Sequence, residues 1–319
     1  NGYEVLVSNN NEDYVFNLNQ KICITNEPLI QSMLFDTIKF SATTSNTDVI
    51  KNSDIIFIFS PTPSNIEGNY DTTKVFDIVS IFYSLSSQDV ALYNKKVVVC
   101  STTNPGEVDQ IQQRLNMFNI KVAYNPFFTN EGEIVKDIET HEMVLIGGEY
   151  QELTNNLIQL HSKLKKVLVS VYSMSSKAAE LTKIGINSFL SAKISYANML
   201  GEIITKSGIE DEVNMVLTAI GGNSGIGKKH MNYGFGFGGP SISGDNKALK
   251  HFAESVEVNT DLMSSINTFN QSHISFIKEH YTQKNPTKEI PFVMNHITYK
   301  KGSNIVEESQ QFQLCVELL

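Results

Sequence analysis

The stretch GFGFGGPSISGD, Gly234 to Asp245, joins glycines that let a backbone approach closely to a serine and a carboxylate. A glycine-rich loop of this kind builds a backbone cradle beside a reactive group, and the residue placed for that role is Ser241. A serine hydroxyl is nucleophilic at neutral pH only with a dedicated base, and the motif holds no histidine. The plain reading of Ser241 is then a small loop residue tying up a neighbouring backbone amide. The letters GFGFGG also resemble a dinucleotide fingerprint, but that fingerprint needs a strand running into a helix, and here a helix and loop precede it. A second chemical pair, Lys183 and Asn187, falls four residues apart in a helical stretch and so on one helix face. The three cysteines, Cys23, Cys100 and Cys315, fit no metal spacing, and their odd number suits a reducing compartment better than a disulfide framework. No metal is expected.

The elements that must position these residues are legible from periodicity. Up to about Gly148, short apolar runs alternate with helical ones: EVLVS, DIIFIFS, KVVVC, KVAY and EMVLIGG are continuous rather than alternating, as strands buried on both faces require. TKVFDIVSIFYSLSS and GEVDQIQQRLNMF read as helices between them, so this part is expected to form a doubly wound parallel Rossmann-like sheet. After a further helix and the strand KVLVSVYS, residues 175 to about 205 carry no proline and two isolated glycines, which predicts one long helix or two abutting ones. Such a helix belongs at a domain boundary or a dimer seam. NKALKHFAESV and DLMSSINTFNQSHISFIKEHY read as further helices, and IPFVMNHITYKKGSNIVEESQQFQLCVELL as strand, loop and helix. The domains expected are 1–174 (Rossmann-like), 175–285 (helical, dimerisation and substrate) and 286–319 (the start of a second α/β unit).

With 319 residues and 41% hydrophobic content, two cores are expected, since single cores stop growing at roughly 250 to 300 residues. A net charge of −9 without a basic cluster excludes a nucleic-acid backbone as partner. No run approaches the roughly 18 apolar residues of a membrane span and none reads as a signal peptide, so a soluble cytoplasmic protein without a membrane partner is expected.

Six ordered segments carry a family resemblance: SPTPS (Ser60 to Ser64), CSTTNPGEVD (Cys100 to Asp109), YNPFFTNEGEIVKD (Tyr124 to Asp137), AELTKIGINSFLSAKISYANMLGEI, the pair GGNSGIG and GFGFGGPSISGDNKAL, and ITYKKGSNIVEES. Together they resemble the UDP-glucose/GDP-mannose dehydrogenase family, NAD-dependent enzymes that oxidise a nucleotide sugar at C6 to the uronic acid. Against the family pattern the chain opens one strand and one glycine turn late and closes early in the C-terminal nucleotide-binding domain, which is expected of a fragment or a partial record. The resemblance implies NAD as cofactor, a UDP-sugar as partner, and a homodimer through the central helix.

The family captures an aldehyde on a cysteine between two hydride transfers, and Ser241 stands at that cysteine position. Lys183 and Asn187 match the lysine and asparagine that steady the developing oxyanion and water, Asp245 the carboxylate after the cysteine, Thr102 the threonine of the strand-end turn, and Lys300 the lysine that reaches the substrate. The resemblance also places Asn9, Pro61 and Thr62 with Thr102 at the cofactor, and Phe127, Glu131, Gly234, Phe235, Gly236 and Gly238 at the substrate. Besides Ser241, four positions depart from the pattern. Phe127 replaces a glutamate, Gly225 an arginine, Asn9 the aspartate that would grip the adenosine ribose, and Glu307 an arginine. The losses at Ser241, Phe127, Gly225 and Glu307 point to a pseudoenzyme: a degenerate member kept for binding or assembly. The alternatives are an active nucleotide-sugar oxidoreductase with altered chemistry, for instance a single oxidation to the aldehyde, and a structural scaffolding protein of a larger assembly.

Overall fold

The computed structural model describes residues 2–88, 92–141, 143–287 and 289–318. It divides into two compact units, residues 1–62 with 70–183 and residues 63–69 with 184–319. The first unit runs β1 (Val5–Ser8), α1 (Glu12–Asn19), α2 (Ile30–Asp36), β2 (Phe40–Thr43), α3 (Asn46–Asn52), β3 (Ile55–Ile58), α4 (Thr73–Ser86), β4 (Lys96–Val99), α5 (Glu107–Leu115), β5 (Lys121–Tyr124), α6 (Ile134–Thr140), β6 (Met143–Gly147), α7 (Gln151–Leu164) and β7 (Ser170–Met174). Five strands form one sheet in the order β3-β4-β5-β6-β7, and β1 pairs with β2 separately, parallel, Val5 opposite Phe40.

Strand β4 shows why continuous apolar runs make this sheet. Val97 and Val99 pack with α4 and α5 through Val75, Val79, Phe82, Val108, Ile111 and Leu115. Val98 and Cys100, pointing the other way by the two-residue strand period, pack with Leu153 and Leu157 of α7. Both faces are covered, so no polar residue is tolerated on either, and each such valine contributes roughly 1.5–3 kcal/mol by leaving water. Strand β1 departs from the expectation of burial on both faces: it belongs to the two-stranded pair and is mostly half-buried, and β7, at the sheet edge, is largely exposed. The sheet also departs from fully parallel order at one point: β5 and β6 meet through a single antiparallel pair, Tyr124 opposite Gly147.

The long helix forms as one piece, α8 (Ser176–Lys206), and the division between the units falls within it. Its Gly201 is fixed by packing, because a Cβ there would lie 1.9 Å from the Tyr233 ring. The second unit continues with α9 (Val213–Gly222), α10 (Pro240–Ser255), α11 (Asp261–Lys284) and α12 (Gln310–Leu318). Ala197, Ile204, Val213, Leu217 and Met231 form one core here, while Ile274, Ile277 and Leu314 join α11 to α12. The strand expected in IPFVM is not formed among the described residues. An extended segment becomes a strand only with a ladder partner, and none pairs with it. No helix among the described residues is long and apolar enough to cross a membrane.

Candidate functional site

In the first unit the residues singled out by the sequence sit where parallel strands end, the side on which open α/β sheets bind ligands. Asn9 follows β1, Pro61 and Thr62 follow β3, and Thr102 follows β4. The Asn9 side chain accepts from the Asn11 amide at 2.9 Å, and the Asn11 side chain caps α1 by accepting from Tyr14. The β1–α1 turn is therefore built by asparagines. The ends of β3 and β4 are tied where Ser101 Oγ accepts from the Ser60 amide at 2.7 Å.

The turn carrying Thr102 is held from α8. Glu180 is fully buried, and its carboxylate accepts from Thr103 Oγ1 at 2.7 Å, from the Gly106 amide at 2.6 Å and from the Val108 amide at 3.0 Å. Burial pushes its pKa up to about 7 against the pull of those three donors, with nearby Glu107 adding to the rise. The motif reading passed over Glu180. Its only signal was a charge three residues before Lys183 on a mainly apolar helix.

Lys183 is buried, with its ammonium 4.7 Å over the Phe128 ring. Phe128 in turn stacks on His141. Phe127 has a different environment from the one its position implied: its ring lies 5.6 Å from Phe59 and 5.7 Å from His161, packed against the α7-side core. His161 is buried, and Asn125 Oδ1 takes its Nε2–H at 2.8 Å while the Asn125 amide donates to Leu145. The remaining Nδ1 is buried without a partner among the described residues. Burial holds the His161 pKa down to about 4, with Lys165 contributing. Glu131 is half-buried in the loop before α6, a loop anchored by Glu27, which accepts from the Gly132 and Ile134 amides.

In the second unit the structure brings Asn187 and Asp245 together. Asn187 Nδ2 donates to Asp245 Oδ2 at 2.6 Å, and Asp245 is 1% exposed, within α10. Ser241 is not a loop residue. It is the second residue of α10, after Pro240, and it is exposed. The buried histidine of this unit, His273, is committed elsewhere, with Nδ1 on Glu202 at 2.6 Å and Nε2 on the Gly234 carbonyl at 2.7 Å.

The glycine loop is a packed structure and not an open amide cradle, which corrects the expectation for it. Its Gly234 amide donates to Asn198, Gly236 to Gln310, Phe237 to Asn270 and Gly239 to the Glu307 carbonyl, at 2.6–3.0 Å. The Phe235 carbonyl accepts from Asn198 at 3.3 Å. A Cβ on Gly236 would meet Asn270 at 2.1 Å, one on Gly238 would meet the Glu308 carbonyl at 2.3 Å, and Gly239 has φ 78° with the Tyr299 ring against it. Lys300 follows Tyr299 directly, so it lies beside this loop, half-buried. Gly225 is exposed in the turn after α9, its amide bonded to Asn223, and Lys193 donates to the next two carbonyls, Ile226 and Gly227. Glu307 is exposed. Of the cysteines only Cys100 is buried, whereas Cys23 and Cys315 are half-buried. Among the described residues no cluster of histidine, cysteine or carboxylate could hold a metal ion.

Residues 1–165 match the UDP-glucose/GDP-mannose dehydrogenase family, NAD binding domain, and residues 177–272 match its central domain. The UDP-glucose 6-dehydrogenase of Rickettsia typhi is 27% identical over 327 residues, covering 100% of this chain and 73% of that protein. Among solved structures, a UDP-glucose dehydrogenase from Pyrobaculum islandicum superposes with a TM-score of 0.86 at 22% identity, over 99% of this chain and 74% of that one. A UDP-D-ManNAc dehydrogenase from Pyrococcus horikoshii superposes with a TM-score of 0.82 at 18% identity, over 99% and 75%. For NAD, the polar residues after β1, β3 and β4 fit the edge of a dinucleotide laid across strand ends. No described strand enters a helix through a G-x-G-x-x-G turn.

Proposed function

The chain belongs to the UDP-glucose/GDP-mannose dehydrogenase family, and from that premise we propose that it binds a UDP-sugar and NAD without completing the oxidation of the sugar to a uronic acid. The observation that carries this is Ser241. The family reaction removes one hydride to give an aldehyde, adds a thiolate to it, removes a second hydride from the thiohemiacetal and hydrolyses the thioester. A serine hydroxyl, exposed in the first turn of α10, is a far weaker nucleophile at neutral pH than a thiolate, and the unit's buried histidine is engaged by Glu202 and Gly234. Phe127 supports the same reading, because a half-buried ring packed against the core stands where acid-base chemistry would need a carboxylate.

The binding half of the proposal rests on the residues kept. Lys183 beside Phe128, the Asn187–Asp245 pair, Thr102 at the end of β4, and Lys300 beside the packed glycine loop are the positions we assign to ligand contact. Residues 1–174, 175–285 and 286–319 remain the proposed domains. A homodimer through α8 is supported by Phe189, Tyr196 and Ile203, exposed apolar side chains seven residues apart. The cytoplasm as compartment rests on composition alone.

The test mixes the purified chain with NAD and UDP-glucose. No NADH above background, together with a nucleotide sugar retained in native mass spectrometry, is the expected result. Steady formation of NADH and a uronic acid overturns it. Retention of neither nucleotide favours the scaffolding alternative.

A further inference from the structure

We infer that Glu180 is a positioning residue for the proposed dinucleotide site: from α8 its carboxylate fixes the turn that carries Thr102, and adding a proton to that carboxylate loosens the turn. This rests on the dinucleotide reading of the first unit given above.

Helix α5 begins at Gly106, in a left-handed conformation with φ 102°, and no side chain within its own first turn caps it. Its orphan amides are instead met from a distant helix. Glu180 Oε2 takes the Gly106 amide, and Oε1 takes both the Val108 amide and the Thr103 hydroxyl. One carboxylate therefore holds the turn by a side chain, by the helix cap and by the first helical turn. Thr102 lies between Ser101, which ties β4 to β3, and Thr103, which is tied to Glu180. Its backbone is clamped on both sides.

The charges facing Glu180 come from both packed elements. Glu107 of α5 is itself held by Thr72 and by Asn104. Lys177 of α8 places its stem against Gly106. Lys183, one turn further on, sits over Phe128. Burial and Glu107 favour the protonated carboxyl, while the three donors favour the carboxylate, and the two tendencies balance at a pKa of about 7.

Protonation removes the negative charge that strengthens all three hydrogen bonds, so the neutral carboxyl holds the Gly106 amide, the Val108 amide and the Thr103 hydroxyl less tightly. Global stability moves the other way. Because the folded-state pKa is raised, the contribution of Glu180 is fully present below the ordinary carboxylate value and is lost as pH rises through about 7. Acid then stabilises the fold while opening this turn, and a residue that merely packed would move both together.

The experiment follows hydrogen exchange of the peptide spanning residues 101–108, corrected for intrinsic rates, from about pH 6 to about pH 8. The wild-type chain is expected to gain about tenfold protection as pH rises, and its NAD affinity to tighten in parallel. Glu180→Gln, which keeps the shape but removes the charge and replaces one acceptor oxygen by a donor, is expected to show low protection and weak NAD binding at every pH. Protection independent of pH in the wild-type chain overturns the inference, and this arm needs no variant to fold. A Glu180→Gln chain with the wild-type profile overturns it as well. NAD binding without pH dependence overturns the positioning role. Absence of NAD binding at any pH overturns the dinucleotide reading and the positioning role with it, and is told apart by a turn that still follows the expected profile.

Discussion

The side-chain amide of Asn187 on α8 donates to Asp245 on α10 at 2.6 Å, and one residue further along both helices Ser188 donates to Asn246, also at 2.6 Å. Asn246 then passes its own amide to Asn267 of α11 at 2.8 Å. Three helices are thus joined by side-chain hydrogen bonds, and the Asp245 carboxylate is buried beside them. Asn187→Ala leaves that carboxylate short of a donor and is expected to cost about 1–3 kcal/mol. Asp245→Ala is expected to cost a similar amount, and the double variant less than the sum, since each change removes the same bond. Urea unfolding of the four chains measures this, and simple additivity would contradict it.

Phe127→Glu restores the family's residue and is expected to destabilise the first unit rather than to help it. The ring packs against Phe59, His161 and the α7-side core, and exchanging it for a charged side chain combines a lost aromatic with a poorly solvated carboxylate. Because the ring is half-buried, a loss of about 1–3 kcal/mol is expected. Thermal unfolding checks this, and an unchanged midpoint would show that the ring is not part of the core.

Ser241→Cys is expected to fold as the wild-type chain does, because the side chain is exposed. The new thiol would stand in the first turn of α10, where the positive end of the helix favours a thiolate. It should alkylate with iodoacetamide much faster than Cys100, whose pKa burial pushes well up. Peptide mass spectrometry gives the order. No uronic acid should form, since Phe127 and Gly225 remain; useful turnover by this variant would show that the serine alone silences the chain.

His161 sets an acid limit on the first unit. Its folded-state pKa of about 4 lies below its ordinary value, so the stability tied to the neutral ring is fully present at neutral pH and is lost as pH falls toward 4. At about 1.4 kcal/mol per pH unit the loss is on the order of 3 kcal/mol. Glu180 works in the opposite sense over a window reaching about 7. The clean measurement is therefore the difference between wild type and His161→Leu in chemical unfolding from about pH 7 to about pH 4. That difference should shrink steadily with acid; a constant difference would mean that His161 keeps an ordinary pKa.

Much of the architecture was determined by the sequence alone. KVVVC, KVAY and MVLIG became buried strands and residues 176–206 one helix, because a two-residue or 3.6-residue apolar period is a local property that any sheet or helix expresses in the same way. The motif order was legible for the same reason. What remained hidden depends on neighbours far along the chain. IPFVM had the composition of a strand but found no ladder partner. Phe127 looked like a missing carboxylate, and only the folded chain shows its ring against Phe59 and His161. The glycine loop looked open until Asn198, Asn270 and Gln310 were seen to occupy its amides. Glu180 meets Thr103 across 77 residues of chain. No spacing rule encodes that meeting. Whether a charge is buried, and what it then holds, is decided by the dielectric and the donors that tertiary packing assembles around it.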